Sequence, residues 1–488
     1  MTSLRMDNAW FHRQRHLLFA PWAKWDTPGA RPPWAESSAR DVRTVRATQQ
    51  GCAAGSPAEA TKRMLKRLPL RHELATRAHM QLFRACLEAT SLVPSDQLMH
   101  SAVQLEWLWY TTPFKGFYRD HLAHVMKVAT IALTLWREQG LLCDGRLIDA
   151  IAGRLASRQA GSNALRRAAR RLGNDEQALR EPAFWRQAVL EATRLACLLH
   201  DLAYPSIMAG TYVTPAAAIT DPIGPPGDER AHLAQRALGL AEDHLLMAPF
   251  LDSDADQPAK HSQRGDAAFV KMVLTSHSLQ AGLRILQFGA EADRVWRLTP
   301  LEAFVIEWAA AAAALHDYDK AFELHLQAPP HAGAQAQPPH NERADPLARW
   351  FDASPDGERH TMRIRPSLDR DPVSYMVALA DQLQDFGRLN LEAEQASMHT
   401  SLRLSVPVQE VSLTRQGKTL QLTWTLAAGA PADAANKVRT GKLGTATSDV
   451  IKRRGARGVV FWPPDGEASC WLDHGGWFDG ISLDVRDP

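Results

Sequence analysis

Apolar residues recur at helical spacing through most of the middle of the chain. Stretches in which apolar positions return every three or four residues predict helices with a buried face. Alanine is abundant there and β-branched runs are scarce, which also favours helix. The predicted helices cover residues 118–136, 185–200, 267–286, 301–316 and 372–389. Residues 61–400 are therefore predicted to form a mainly α bundle.

The pattern changes on both sides of this bundle. Residues 402–406 and 420–424 alternate apolar and polar positions, which is typical of strands, and a helix is predicted near residues 437–454. Residues 401–488 are thus predicted to form a small α+β module, with few core contacts across its boundary. Residues 1–60 contain four tryptophans in an irregular sequence, which predicts an arm that docks on the body or binds a partner.

Composition and charge narrow the class of protein. The 488 residues are too many for one typical domain, and 45% hydrophobic residues suffice for a sizeable core. A formal net charge of +2 implies no global attraction to nucleic acid or to a membrane. The five cysteines form no CxxC pair, which argues against a disulfide framework. No apolar run could span a bilayer and no secretory h-region opens the chain, so we expect a cytoplasmic protein without membrane contact.

Residues of metal-ligand type interrupt the apolar helices. Burial of Asp or His is costly unless the side chain is paired or binds a metal. His200 and Asp201 directly follow a buried helix, and His124 and Asp381 lie on other helices that could complete an ion's ligands. Two imidazoles and two carboxylates suit a divalent Mn, Fe, Co, Ni, Zn or Mg ion, and one or two ions are expected.

The order His … His-Asp … Asp on successive helices resembles the HD superfamily of metal-dependent phosphohydrolases. His124 resembles that family's first motif, His200-Asp201 the doublet that names it, and Asp381 the final aspartate. The resemblance covers residues 110–395. It implies an HD-type helical bundle, these four residues as metal ligands, and hydrolysis of phosphate esters or anhydrides.

The resemblance also implies roles for further residues. His277 resembles a third-helix histidine of the cyclic-dinucleotide phosphodiesterase branch and His316 the histidine after it, so both are expected to bind a second metal or act as acid. A second ion would share Asp201, which is then a catalytic residue as well as a ligand. Independently of the resemblance, the positive charge of Arg388 close to Asp381 suggests contact with phosphate oxygens, with a surface ion pair as the alternative. The other candidates, each with a surface role as its alternative, are His121, His232, His261, Arg119, Lys127 and Lys320.

A nucleotide is the substrate that the resemblance implies. The cyclic-dinucleotide branch usually has a lysine shortly after the doublet, where this chain has Leu202-Ala203. The dNTP triphosphohydrolase branch usually has Gly-His-Pro, and here Tyr204-Pro205 replaces His-Pro. A dNTP or other mononucleotide phosphate is therefore favoured, with a cyclic nucleotide or dinucleotide as the alternative. A catalytically degenerate nucleotide sensor or scaffold is a further alternative, in which the N-terminal arm and C-terminal module bind a protein partner or a second copy.

Overall fold

The computed structural model is mainly helical and carries a small four-stranded sheet, which confirms the predicted class in this coarse form. It describes residues 2–19, 80–88, 118–119, 121–203, 277–316, 351–353, 360–362, 366–387, 390–396, 399–405, 407–430 and 472–488 apart from 473 and 479, with single positions at 90, 92, 98–99, 102, 245, 435 and 438. Within these ranges, no helix has both the length and the apolar character needed to cross a membrane.

The named helices of the described ranges are labelled in chain order. They are α1 (Asn8–Gln14), α2 (His121–Arg137), α3 (Leu147–Ala156), α4 (Asn163–Arg171), α5 (Pro182–Leu199), α6 (His277–Trp296), α7 (Pro300–Leu315) and α8 (Pro372–Leu383). Short 3-10 turns follow α1 and precede α5. Four of the predicted helices correspond to α2, α5, α7 and α8, although α8 ends well before residue 389. Helix α6 continues to Trp296, beyond the predicted end, and residues 267–276 lie outside the described ranges.

The core of the bundle is built around helix α5. Helix α5 packs against α2, α3, α7 and α8, and α6 packs on α7. All of Ala309–Ala314 in α7 are buried, and their small side chains allow neighbouring helices to approach closely. Trp136, Trp185 and Trp308 are fully buried between the helices. This packing brings the ends of α5, α7 and α8 and the start of α2 to one region.

The strands of the described residues form three sheets. They are β1 (Ser3–Met6), β2 (Tyr118–Arg119), β3 (Phe351–Ala353), β4 (His360–Met362), β5 (Asn390–Ala396), β6 (His399–Ser405), β7 (Val408–Gln416), β8 (Thr419–Leu426) and β9 (Gly480–Arg486). The four-stranded sheet has the order β1-β7-β8-β9, in which only the β8–β9 pair is parallel. Sheets β2-β5-β6 and β3-β4 are antiparallel. Alternate residues of β8, including Leu420, Leu422 and Trp424, are buried, as a strand with one face on a core requires.

The first residues differ from the irregular arm expected over residues 1–60. Strand β1 pairs with β7, with Leu4 opposite Leu413. In α1, Trp10 is buried and its ring contacts the Phe386 ring edge-on, with centroids 6.0 Å apart. Residues 20–60 lie outside the described ranges.

The domain boundary expected at residue 400 falls within β6. Buried or partly buried hydrogen bonds also join the C-terminal part to the bundle, where few contacts were expected. Tyr375 Oη and His474 Nδ1 are 2.8 Å apart, and Trp424 Nε1 donates to Asp385 Oδ2 over 3.1 Å. Most of the helix predicted near residues 437–454 lies outside the described ranges.

Replacement of Asp371, the residue that begins α8, is expected to destabilise the protein by about 2–4 kcal/mol. Its carboxylate accepts from Ser374 N over 3.2 Å and from the Trp308 indole over 2.8 Å. Asp371→Ala removes the helix cap and leaves the indole N–H without its acceptor. The free energy of unfolding in urea measures the loss. Asp7→Ala, which removes only the cap of α1, is the control and should cost about 1 kcal/mol; equal losses would show that the indole contact contributes nothing.

Candidate metal centre

Helices α5 and α7 end in the same three-residue sequence, Leu-His-Asp. His200 and His316 are the residues at which these helices end, and both keep right-handed helical backbone angles. The last carbonyls of a helix lack intrahelical partners, and each histidine contacts one of them through Nδ1. His200 Nδ1 is 2.8 Å from Cys197 O, and His316 Nδ1 is 2.6 Å from Ala313 O. Both Nε2 atoms are thereby directed away from their own helices.

The first group of converging side chains consists of His124, His200 and Asp381, which could together hold a metal ion. Asp381 Oδ1 lies 3.1 Å from His124 Nε2 and 3.7 Å from His200 Nε2. Asp201 Oδ2 lies 3.6 Å from each of the same two nitrogens. Ligands bound at 2.0–2.2 Å in tetrahedral geometry are about 3.3–3.6 Å apart. The spacing of these atoms therefore fits ligands of one ion.

The second group contains Asp201, His200 and His316, which could also hold a metal ion. Asp201 uses its other oxygen here, since Oδ1 lies 3.7 Å from His316 Nε2 and 3.7 Å from His277 Nε2. The Nε2 atoms of His277 and His316 are 3.3 Å apart. Asp201 therefore lies between two sets of histidines, with one oxygen directed at each set.

The site is deeply buried except at two side chains. Relative exposure is 11% for His277 and 20% for Asp381, against 6% or less for His124, His200, Asp201 and His316. Any substrate would approach the centre most easily beside these two residues.

The donor set fits a divalent metal ion. Three histidines have Nδ1 directed at an oxygen acceptor: His200 and His316 at backbone carbonyls, and His124 at Gln384 Oε1, 2.5 Å away. An Nδ1–H that donates in this way leaves the Nε2 lone pair for a metal, as is usual for metal-binding histidines. His200 Nε2 is buried and has no hydrogen-bond partner among the described residues. A buried nitrogen of this kind is costly unless something binds it.

The charges of the metal-free site stabilise one another. Burial lowers the pKa of His200, but the Asp201 and Asp381 carboxylates outweigh burial and raise this pKa to about 9. Burial raises the pKa of Asp201, but His200, His121 and His124 outweigh it and hold this pKa well below its usual range. The pKa of Asp381 is lowered in the same way, since His124 and His200 outweigh its burial. The proton on His200 therefore occupies the electrostatic role that a cation would take.

The metal-free protein is expected to lose thermal stability as the pH rises from about 6.5 to 9. The pKa of His200 is about 9 in the folded protein, against 6.5 for an ordinary histidine. Protonation of His200 therefore stabilises the fold, fully below pH 6.5 and no longer once the pH has risen through 9. The lowered pKa values of Asp201 and Asp381 contribute above about pH 4, and this is lost as the pH falls further. Melting temperatures in EDTA and in Mn²⁺ measure the effect.

Added Mn²⁺ should raise the melting temperature more at pH 8 than at pH 6, because metal binding displaces the imidazole protons. His200→Gln removes the titrating group and should flatten the metal-free profile above pH 6.5. A metal-free melting temperature that climbs between pH 6.5 and 9 would contradict this account.

The remaining candidates have different outcomes. His121 is buried, with Nδ1 3.5 Å from Asp201 Oδ2, so it belongs to the site and not to the surface. Lys127 is also buried, and its Nζ donates to Gly387 O over 3.2 Å, so it does not take the surface role that was its alternative. Arg119 lies in β2, where only its backbone is described. Arg388, His232, His261 and Lys320 lie outside the described residues.

Sequence reasoning missed Gln384, the residue at which α8 ends. Its position three residues after Asp381 places both residues on nearly the same face of one helix, and this spacing was the only signal in the sequence. The signal is weak, because an uncharged amide does not stand out as a candidate ligand.

Comparisons with protein-family models, with curated proteins and with solved structures found no match.

Proposed function

We propose that this chain is a metal-dependent phosphohydrolase of the HD type that acts on a nucleotide. The observation that carries the proposal is the position of Asp201 between two sets of histidines, each within 3.7 Å of one of its oxygens. A carboxylate in this position can bridge two metal ions, and paired ions are typical of enzymes that hydrolyse phosphate esters.

The ligands divide into two sets under this proposal. His124, His200 and Asp381 hold one ion, His277 and His316 hold a second, and Asp201 is shared. Divalent ions supply Lewis acidity to the phosphoryl oxygens and acidify water. The chain supplies the fixed geometry, because His124, His200 and His316 are held through their Nδ1 atoms and the carboxylates by the ends of α5 and α8.

Charge balance supports an anionic substrate. The imidazoles are neutral when they bind metal, so Asp201 and Asp381 bring the only negative charges of the proposed ligand set. Two divalent ions would then leave the centre with a net positive charge, which attracts a phosphate group. Asp381 and His277, the most exposed of these side chains, would face the arriving phosphate.

A mononucleotide, such as a dNTP, is favoured over a cyclic nucleotide. Leu202 and Ala203 after the doublet are buried apolar residues, so the lysine typical of the cyclic-dinucleotide branch has no counterpart at these positions. The preference for nucleotides itself rests on the resemblance to the HD superfamily.

A nucleotide screen tests the proposal. Purified protein is incubated with dNTPs, NTPs, mononucleotides and cyclic nucleotides in Mn²⁺, Co²⁺, Ni²⁺ or Mg²⁺. Chromatography then distinguishes release of phosphate, pyrophosphate and triphosphate. We expect hydrolysis of a mononucleotide that disappears with EDTA and is absent from an Asp201→Ala preparation, which excludes a contaminant. If the protein binds a nucleotide but hydrolyses none with any of the metals, the proposal of an enzyme is wrong and a nucleotide sensor takes its place.

A further inference from the structure

The turn that follows the Asp381 helix reaches back to the first metal-binding histidine. Gln384 is buried, with 1% of its surface exposed, and its Oε1 lies 2.5 Å from His124 Nδ1. The nitrogen of the same amide group donates to Phe386 O over 3.3 Å. Both polar atoms of the Gln384 side chain are thus held within the buried turn.

These two contacts settle which atom of the amide faces His124. If the amide were reversed, Oε1 would face Phe386 O, and two acceptors would oppose each other. With Oε1 directed at His124, the imidazole must carry its proton on Nδ1 in order to donate. When the ring is neutral, as it must be to bind a metal, its Nε2 lone pair is then directed to the side of Asp381 and Asp201.

Gln384 differs from the groups that orient the other two histidines. His200 and His316 are each oriented by a backbone carbonyl three residues earlier in their own helices. The orientation of His124 instead depends on a side chain that is 260 positions away along the chain. A single substitution can therefore test it.

The surrounding contacts fix the turn itself. Lys127 Nζ lies 3.4 Å from Phe386 O and 3.2 Å from Gly387 O, and it lies over the Phe386 ring. Gly387 N donates to Val408 O over 3.0 Å, which ties the turn to the start of β7. Gln384 therefore has little freedom to turn away from His124.

We propose that Gln384 is a positioning residue that holds His124 in its metal-binding tautomer and so sets the affinity of the first metal site. The inference deepens the proposed function, and it rests on that function only in taking the bound ion to be catalytic. Groups of this kind typically change metal affinity by about 10- to 100-fold when removed.

The proposal is tested by titrating the metal-free protein with Mn²⁺ alone and measuring the heat of binding by calorimetry. Gln384→Met keeps the length of the side chain and removes both polar atoms of the amide. We expect the affinity for Mn²⁺ to fall by about 10- to 100-fold in one of the two binding steps. Gln384→Glu keeps an acceptor for His124 Nδ1, and Lys127 still donates to Phe386 O, so affinity should return to the wild-type value or exceed it. Gln416→Met is the matched control, because Gln416 is exposed at the end of β7, where its amide nitrogen donates to Gln421 Oε1.

The outcomes separate the inference from the proposed function. Wild-type affinity in Gln384→Met, or a loss in folded Gln384→Glu as large as in Gln384→Met, overturns the positioning role. If Gln384→Met loses its helical circular dichroism, Gln384→Glu decides, and a loss above tenfold with the fold intact overturns the role. Metal binding that depends on Gln384 in a protein without hydrolysis supports the inference and contradicts the function, whereas a wild-type protein that binds no metal contradicts both.

Discussion

Asp201→Ala is expected to abolish hydrolysis and to lower metal affinity by more than about 100-fold. Asp201 lies within 3.7 Å of each of His124, His200, His277 and His316. Its loss removes a ligand from both proposed ions and leaves the histidines without their shared counter-charge. Metal content by elemental analysis and turnover of the best nucleotide measure the two effects.

Asp371→Ala is the control for Asp201→Ala. Asp371 is also enclosed by the protein, and burial raises its pKa despite its hydrogen bonds to Ser374 and Trp308. Its replacement should lower stability but leave the bound metal unchanged. Circular dichroism should show helical content close to that of the wild type for Asp201→Ala. Full activity in folded Asp201→Ala would remove this residue from the centre.

The helices that build the centre could be predicted because their signal is local. In a helix with one buried face, apolar residues recur every three or four positions. Helices α5, α7 and α8 follow this pattern up to the polar residue that each contributes to the centre. His200 and Asp381 were conspicuous because burial of an isolated His or Asp is costly. The sequence thus indicated which residues converge, but not that the two oxygens of Asp201 face different histidines.

The features that could not be predicted depend on long-range contacts. Strand β1 is completed by β7, with Ser3 opposite Thr414, and no local pattern connects residues so far apart. The hairpin of β5 and β6 crosses the expected boundary at residue 400 because strand alternation begins before that point. Gln384 was missed, and the burial of the candidate Lys127 was not predicted, for the same reason: the partner of each lies on another element.

The double variant His277→Ala/His316→Ala is expected to bind one metal ion where the wild type binds two. Their Nε2 atoms lie 3.3 Å apart and face the same oxygen of Asp201, so both would be lost from the second ion, while His124, His200 and Asp381 remain for the first. Hydrolysis should fall by at least about 100-fold, because the second ion would stabilise charge on the phosphoryl oxygens.

Native mass spectrometry gives the number of ions, and single variants show whether buried His316 matters more than the partly exposed His277. His474→Ala is the control, since His474 is a buried histidine that contacts Tyr375 outside the centre and should leave both ions in place. Two ions in the double variant, or one in the wild type, would contradict a second site built on these histidines.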